Sequence, residues 1–253
     1  MAVFEHPLNE KIRLFMRLSY LMKRFNYHLE DPSPENCQAA VVVLLELYNL
    51  SSRLDVKNAA LHVLDFQTQA VRQAKGVQGV DEVRAARILV KLEEKSKQLY
   101  SSRGQLGQHL KTHHFLNILR QRASIAGGIN SLDVPLFNHW LNKTSETRVE
   151  DLQGWAKPYR IAFEAIELLM ELIYQGGEKK DVIAEGGFYQ SSLGSDRDYQ
   201  VLSIKLPSNS NVYPEISAGK QRFSVRFVDA TELEERGKQI VENVPFELTL
   251  YSF

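Results

Sequence analysis

Cysteine is nearly absent from this chain of 253 residues: Cys37 is the only one. A single thiol excludes an intrachain disulfide framework and predicts a reducing compartment. Cys37 lies near the start of an apolar segment, where a buried, inert thiol is expected. Long hydrophobic runs are also missing. The longest, Ala39 to Leu45, is far short of the roughly 20 residues needed to span a bilayer. No basic segment followed by an apolar stretch opens the chain, so no secretory signal is expected. A soluble cytoplasmic protein follows from these absences.

Net charge is missing too. Thirty-one basic and thirty-one acidic residues cancel, whereas a protein that holds long nucleic acid by charge alone carries a clear basic excess. The balance is uneven along the chain. Residues 181–253 hold seven Lys and Arg against eleven Asp and Glu, and the remainder carries a local excess of four positive charges. No phosphate-binding loop, dinucleotide-binding glycine fingerprint, nucleophile elbow or His-Glu-x-x-His motif is present. His109 and His113 stand four apart in a helical pattern and would need a third ligand to hold a metal. The loop Arg122 to Gly128, with Gly127-Gly128, could cradle an anion or be a plain turn. No catalytic, cofactor or metal residue is assigned from these patterns.

What is present begins with the first helix. Pro7 suits an opening helical turn. From there Leu8, Ile12, Phe15, Leu18, Leu21, Met22, Phe25 and Leu29 fall on one face, and Arg13, Arg17, Tyr20 and Arg24 on the other. Glu10 is the only acid between Pro7 and Glu30, so the arginines read as unpaired. Such a row suits carboxylate or phosphate recognition. Lys11 falls on the apolar side and can snorkel from the first turn.

Ser33 and Pro34 open a second helix, apolar nearly all round from Ala39 to Tyr48, which predicts a central position. Asp55 caps a third helix that ends at Gly76, and Gly79 to Asp81 open a fourth. After Gly104 a fifth carries Leu106, Leu110, Phe115, Ile118 and Leu119. A short helix runs from Asp133 and Pro135 to Trp140. A further one begins at Thr144 and should break at Lys157-Pro158, and a last one runs from Tyr159 to Tyr174. Beyond Gly177 the period changes to two, around Phe188 to Gln190, Leu202 to Leu206, Arg222 to Phe227 and Phe246 to Leu250. These four stretches predict one antiparallel sheet, to which Ala2 to Phe4 can add a strand. Arg222 and Arg226 fall opposite Phe223, Val225 and Phe227. The expected fold is α+β: a helical domain over 1–180, with residues 2–5 available to the sheet, and a small antiparallel β domain over 181–253.

Several stretches resemble, in the same order, the ZapD family of bacterial cell-division proteins. They are Phe4-Glu-His-Pro-Leu-Asn-Glu-Lys-Ile-Arg13, Arg120-Gln-Arg122 with Ser124-Ile125 and Gly127-Gly128, Gly187-Phe-Tyr-Gln190, Tyr213-Pro-Glu-Ile-Ser217, and Arg222-Phe223 with Arg226-Phe227. The resemblance implies a cytoplasmic, non-enzymatic homodimer at the mid-cell division ring. It implies binding to the C-terminal tail of the tubulin-like protein FtsZ and bundling of its filaments. Its tail-binding surface carries over to Arg13, Arg17, Arg53, Lys220, Arg222 and Arg226, with Tyr20 and Arg24 on the same helix face. Asn138 aligns with a histidine that members can carry in the short helix, and His139 stands beside it. A basic groove for nucleic acid or a phosphorylated ligand is the alternative use of the same arginines.

Overall fold

The computed structural model describes residues 1–74, 81–102, 104–194, 197–232 and 234–253. Eight helices and seven strands occur among them, and the fold is α+β. The helices are α1 (Glu10–Glu30), α2 (Pro34–Arg53), α3 (Val56–Ala74), α4 (Glu82–Ser101), α5 (Gln108–Lys111), α6 (His114–Arg122), α7 (Pro135–Leu141) and α8 (Ser145–Gln175). The strands are β1 (Ala2–Pro7), β2 (Gly177–Ala184), β3 (Phe188–Ser192), β4 (Tyr199–Leu206), β5 (Val212–Ala218), β6 (Arg222–Asp229) and β7 (Val244–Ser252). The chain divides into two compact units. One is Leu14–Leu169; the other joins Met1–Arg13 to Met170–Phe253. No helix among the described residues is long and apolar enough to cross a membrane.

The helical unit is built around α2. Ser33 caps it by accepting from the Asn36 N–H at 3.2 Å, and Pro34 takes the first helical position. Cys37, Ala40, Val41, Val43, Leu44, Leu45 and Leu47 are all buried, as an all-round apolar helix requires. Asp55 caps α3 through the Asn58 N–H, and Asp81 caps α4 through the Arg84 N–H. The expected end of α3 at Gly76 and the opening at Gly79 lie outside the described residues. Gly107 sits at a φ of +79°, and a Cβ there would stand 2.3 Å from the Tyr159 hydroxyl, which shares a hydrogen bond with Ser51 Oγ at 3.1 Å. Burial pushes the Tyr159 phenol up, so it stays a neutral hydroxyl.

Three helical expectations are corrected. Pro7 closes β1, and α1 starts after Asn9, whose side chain accepts from the Ile12 N–H at 3.0 Å. A capping asparagine outcompetes proline as the start signal. The fifth helix is two: His113 interrupts it, accepting through Nδ1 from the Leu116 N–H at 3.4 Å as the cap of α6. Finally, α8 runs unbroken through Pro158. Proline in a helix interior costs about 3 kcal/mol, but Leu152, Ala156, Tyr159, Ala162, Ala165, Ile166 and Leu169 are buried along the same helix. A few large buried side chains, at about 1.5–3 kcal/mol each, offset that cost.

In the other unit the expected single sheet is two. Sheet A has the order β1-β4-β7-β2 and sheet B the order β3-β6-β5, all antiparallel. Leu202, Ile204 and Leu206 of β4, with Phe246 and Leu248 of β7, form one core with Phe223, Val225 and Phe227 of β6. β1 does join a sheet, pairing Ala2 with Leu206 and Phe4 with Ile204. That sheet is A, however, and Arg222 and Arg226 stand on B. Gly187, at a φ of +69°, lets the chain pass the Ile240 carbonyl, which a Cβ would meet at 2.4 Å.

Candidate functional site

The outward face of α1 carries Arg13, Arg17, Tyr20 and Arg24, as its 3.6-residue period dictates. Their side chains are not equivalent. Arg13 Nε donates to Glu10 Oε1 at 3.2 Å. Arg24 Nη1 donates to Glu46 Oε2 of α2 at 2.9 Å, and its guanidinium carbon lies 5.7 Å from the Tyr20 ring centre. Arg17 has no ion-pair partner among the described residues, nor has Arg53 at the end of α2. The reading of an unpaired row is thereby corrected. The acid that pairs Arg24 comes from the next helix, where spacing along α1 could not reveal it.

Within the helical unit, α1 and α2 enclose a groove of about 470 Å³. Arg17, Tyr20 and Leu21 line it from α1, Glu46, Asn49, Leu50 and Arg53 from α2, and Leu54 from the residue beyond. Tyr20 is 63% exposed and Leu54 44%. Spacings of three and four residues put each set on one stripe of its helix. The result is an apolar floor with two unpaired guanidinium groups on its rim. Arg17, Tyr20 and Arg53 are thus brought together. Leu21, expected on the apolar face opposite the arginines, is half-buried and lines the groove beside Arg17 and Tyr20, while Glu46, Asn49, Leu50 and Leu54 are not among the residues expected there. Glu46 had left a signal, as the one charge inside the apolar run Ala39 to Tyr48.

A second basic cluster stands on the outward face of sheet B. Arg222 and Arg226 are exposed while Phe223, Val225 and Phe227 are buried. Lys220 is in the turn before β6, which the Gly219 N–H closes onto the Arg222 carbonyl at 2.9 Å. Arg226 lies opposite Glu215 of β5 and Phe188 of β3. Its guanidinium is ion-paired to Glu215, with Nε 3.1 Å from Oε2. Arg222 and Lys220 have no ion-pair partner among the described residues. The stretches Gly187–Gln190, Tyr213–Ser217 and Arg222–Phe227, scattered in sequence, therefore lie on the three strands of one sheet. Arg13 belongs to this unit as well. His6 of β1 is half-buried, and its pKa is lowered, first by burial and then by the positive charge of Arg13.

The remaining candidates neither line the groove nor stand on sheet B. His139 is exposed on α7, while its neighbours Phe137 and Trp140 are buried and Trp140 Nε1 donates to Asp151 Oδ2 at 2.9 Å. His109 and His113 are on different elements rather than one helix. His109 Nε2 is 2.9 Å from the Trp155 carbonyl, and no group of three metal-ligating side chains occurs among the described residues. The loop after Arg122 is folded on itself: the Gly128 N–H donates to the Ile125 carbonyl, and the Asn130 side chain accepts from the N–H groups of Leu132 and Asp133. Cys37 is buried, and Arg148 Nε donates to its sulfur at 3.4 Å. The same guanidinium donates to the carbonyls of Pro32, Leu141 and Lys143.

This is an α+β protein whose distinctive surface is an arginine-rimmed groove between two helices, together with a basic strand in a separate unit. Residues 16–226 match the family model described as ZapD, cell division protein. The chain is 33% identical over 253 residues to the Cell division protein ZapD of Chromobacterium violaceum, with both chains fully covered. It is 30% identical over 246 residues to that of Coxiella burnetii, covering 97% of this chain and 95% of the relative. To that of Bordetella petrii it is 30% identical over 252 residues, again with full coverage of both. The chain belongs to the ZapD family of cell division proteins.

Proposed function

We propose that this protein is a non-enzymatic, cytoplasmic division factor that binds the C-terminal tail of FtsZ and, as a homodimer, crosslinks FtsZ filaments at the mid-cell ring. The observation that carries the reading is the α1/α2 groove, where unpaired Arg17 and Arg53 stand over Tyr20, Leu21, Leu50 and Leu54. A short peptide with acidic and apolar side chains matches both features. Arg24 stands on the same face of α1, and Arg13, Lys220, Arg222 and Arg226 give the other unit basic residues of its own for acidic groups of the tail. A single exposed ion pair contributes only about 0–1 kcal/mol. Several of them with apolar contact suit a weak, reversible grip, which a dimer on a filament of repeated tails multiplies by avidity. A ligand recognised by phosphate alone is less well served, because Arg24 and Arg226 already hold carboxylates.

The test is a fluorescence-polarisation titration of an FtsZ tail peptide beside light scattering of FtsZ filaments, both across a salt series. Peptide binding is expected to weaken steadily as salt screens exposed charges beyond about 8 Å at physiological ionic strength. Bundling is expected to fall more steeply, since each bridge needs two occupied grooves. Absence of peptide binding at low salt would overturn the proposal.

A further inference from the structure

The groove is not uniformly basic. Arg17 and Arg24 are seven residues apart on α1, as are Glu46 and Arg53 on α2, and seven residues span about 10.5 Å of helix axis. Arg24 meets Glu46, while Arg17 and Arg53 line the same groove, so the two helices run antiparallel along it. One end therefore carries two unpaired guanidinium groups. The other carries a neutralised pair whose carboxylate still has capacity: Glu46 binds Arg24 through Oε2, and Oε1 has no hydrogen bond among the described residues. The Glu46 side chain is 41% exposed.

We infer that the groove selects a peptide of mixed charge, and that Glu46 is the residue that sets this selectivity. An acidic side chain engages Arg17 and Arg53. Apolar side chains cover Leu21, Leu50 and the Tyr20 ring. A basic side chain donates to Glu46 Oε1. At about 3.3 Å per residue of extended chain, the acid and the base stand about three residues apart in the ligand. A purely acidic segment meets the Glu46 carboxylate and is disfavoured. This inference rests on the proposed function, since it assigns polarity to the same groove.

A charge scan of the FtsZ tail peptide tests it: each position in turn is replaced by Lys and by Glu, and affinities are measured for the parent protein and for Glu46→Gln. The parent is expected to prefer Lys over Glu by about fivefold or more at one or two adjacent positions, about three residues from a position where acid is required. In Glu46→Gln that preference is expected to fall below about twofold, while the acid requirement remains. A Lys preference that survives Glu46→Gln, or a preference for Glu at every position, overturns the assignment and leaves tail binding standing. If the unsubstituted peptide does not bind the parent protein, the proposed function falls and this inference with it.

Discussion

The two basic clusters are built from different backbones. On α1 and α2 the arginines rise from adjacent helices, with Leu21, Leu50 and Leu54 in the groove between them. On β6 they stand on a strand whose side chains alternate, so the apolar residues turn inward and polar groups share the outer surface. The helical cluster is a concave site where an apolar side chain can be covered and nearby charges are less screened. The strand cluster is a flat, solvated face on which Glu215 already occupies Arg226. If the proposed function holds, the difference predicts grip from the groove and longer-range attraction from the strand.

The largest effect is expected in the core of the helical unit, in the helix that lines one side of the groove. Leu45 is 4% exposed in the central helix, and Leu45→Asp places an unpaired carboxylate in the core at a cost of several kcal/mol. Loss of the cooperative thermal transition of the helical unit is expected by circular dichroism. A melt like that of the parent would mean that α2 is not the support for the groove.

Next is the pair that lacks partners. Arg17→Glu with Arg53→Glu should leave the far-ultraviolet spectrum unchanged and weaken tail-peptide binding about thirtyfold or more, since each reversal replaces attraction by repulsion. Reversals at Arg222 and Lys220 that weaken binding just as much would erase the distinction between the clusters.

A smaller effect separates the two strand arginines. Arg222→Gln is expected to weaken peptide binding about twofold to threefold and Arg226→Gln less, because Arg226 is already neutralised by Glu215. Glu215→Gln should strengthen binding by a similar small factor. The same titration reads all three, and equal losses at Arg222 and Arg226 would show that the cross-strand pair does not restrain Arg226.

The smallest expected effect lies in the unit of the sheets. The pKa of His6 is lowered in the folded state by burial and by Arg13, so the unfolded chain binds the proton more readily. The stability associated with a neutral His6 is present above its unfolded value, near 6.5. It declines as the pH falls below that value, through the folded one. Chemical denaturation at pH 7.5 and at about 5.5 should show a shallow loss that His6→Gln reduces. His113 is lowered in the same direction by burial and by His109, so the slope is not expected to vanish.

How far the fold was legible depended on burial. The central strands β4, β6 and β7 show their period-two pattern because one face must be apolar, and each was visible in the sequence. The overlooked strands, β2 and β5, are both edges. β2 is highly charged at Glu178 to Asp181, and β5 contains Pro214, as edge strands tolerate. Without β2 and β5, the remaining strands read as one sheet. Pro158 misled in the opposite sense, because local backbone preference was outweighed by the buried face of α8.

The sequence by itself determined the helical and strand-rich parts, the capped start of α2, the arginine face of α1 and the outward position of Arg222 and Arg226. Each follows from the period of a single element, and period is a property of consecutive residues. Only the tertiary structure decided which arginines are available. Glu46 neutralises Arg24 from a neighbouring helix and Glu215 neutralises Arg226 from a neighbouring strand. Arg17 and Arg53, thirty-six positions apart, meet over one apolar floor because α1 and α2 run antiparallel. An ion pair depends on distance in space, and residues far apart in the chain acquire that distance only when the elements pack.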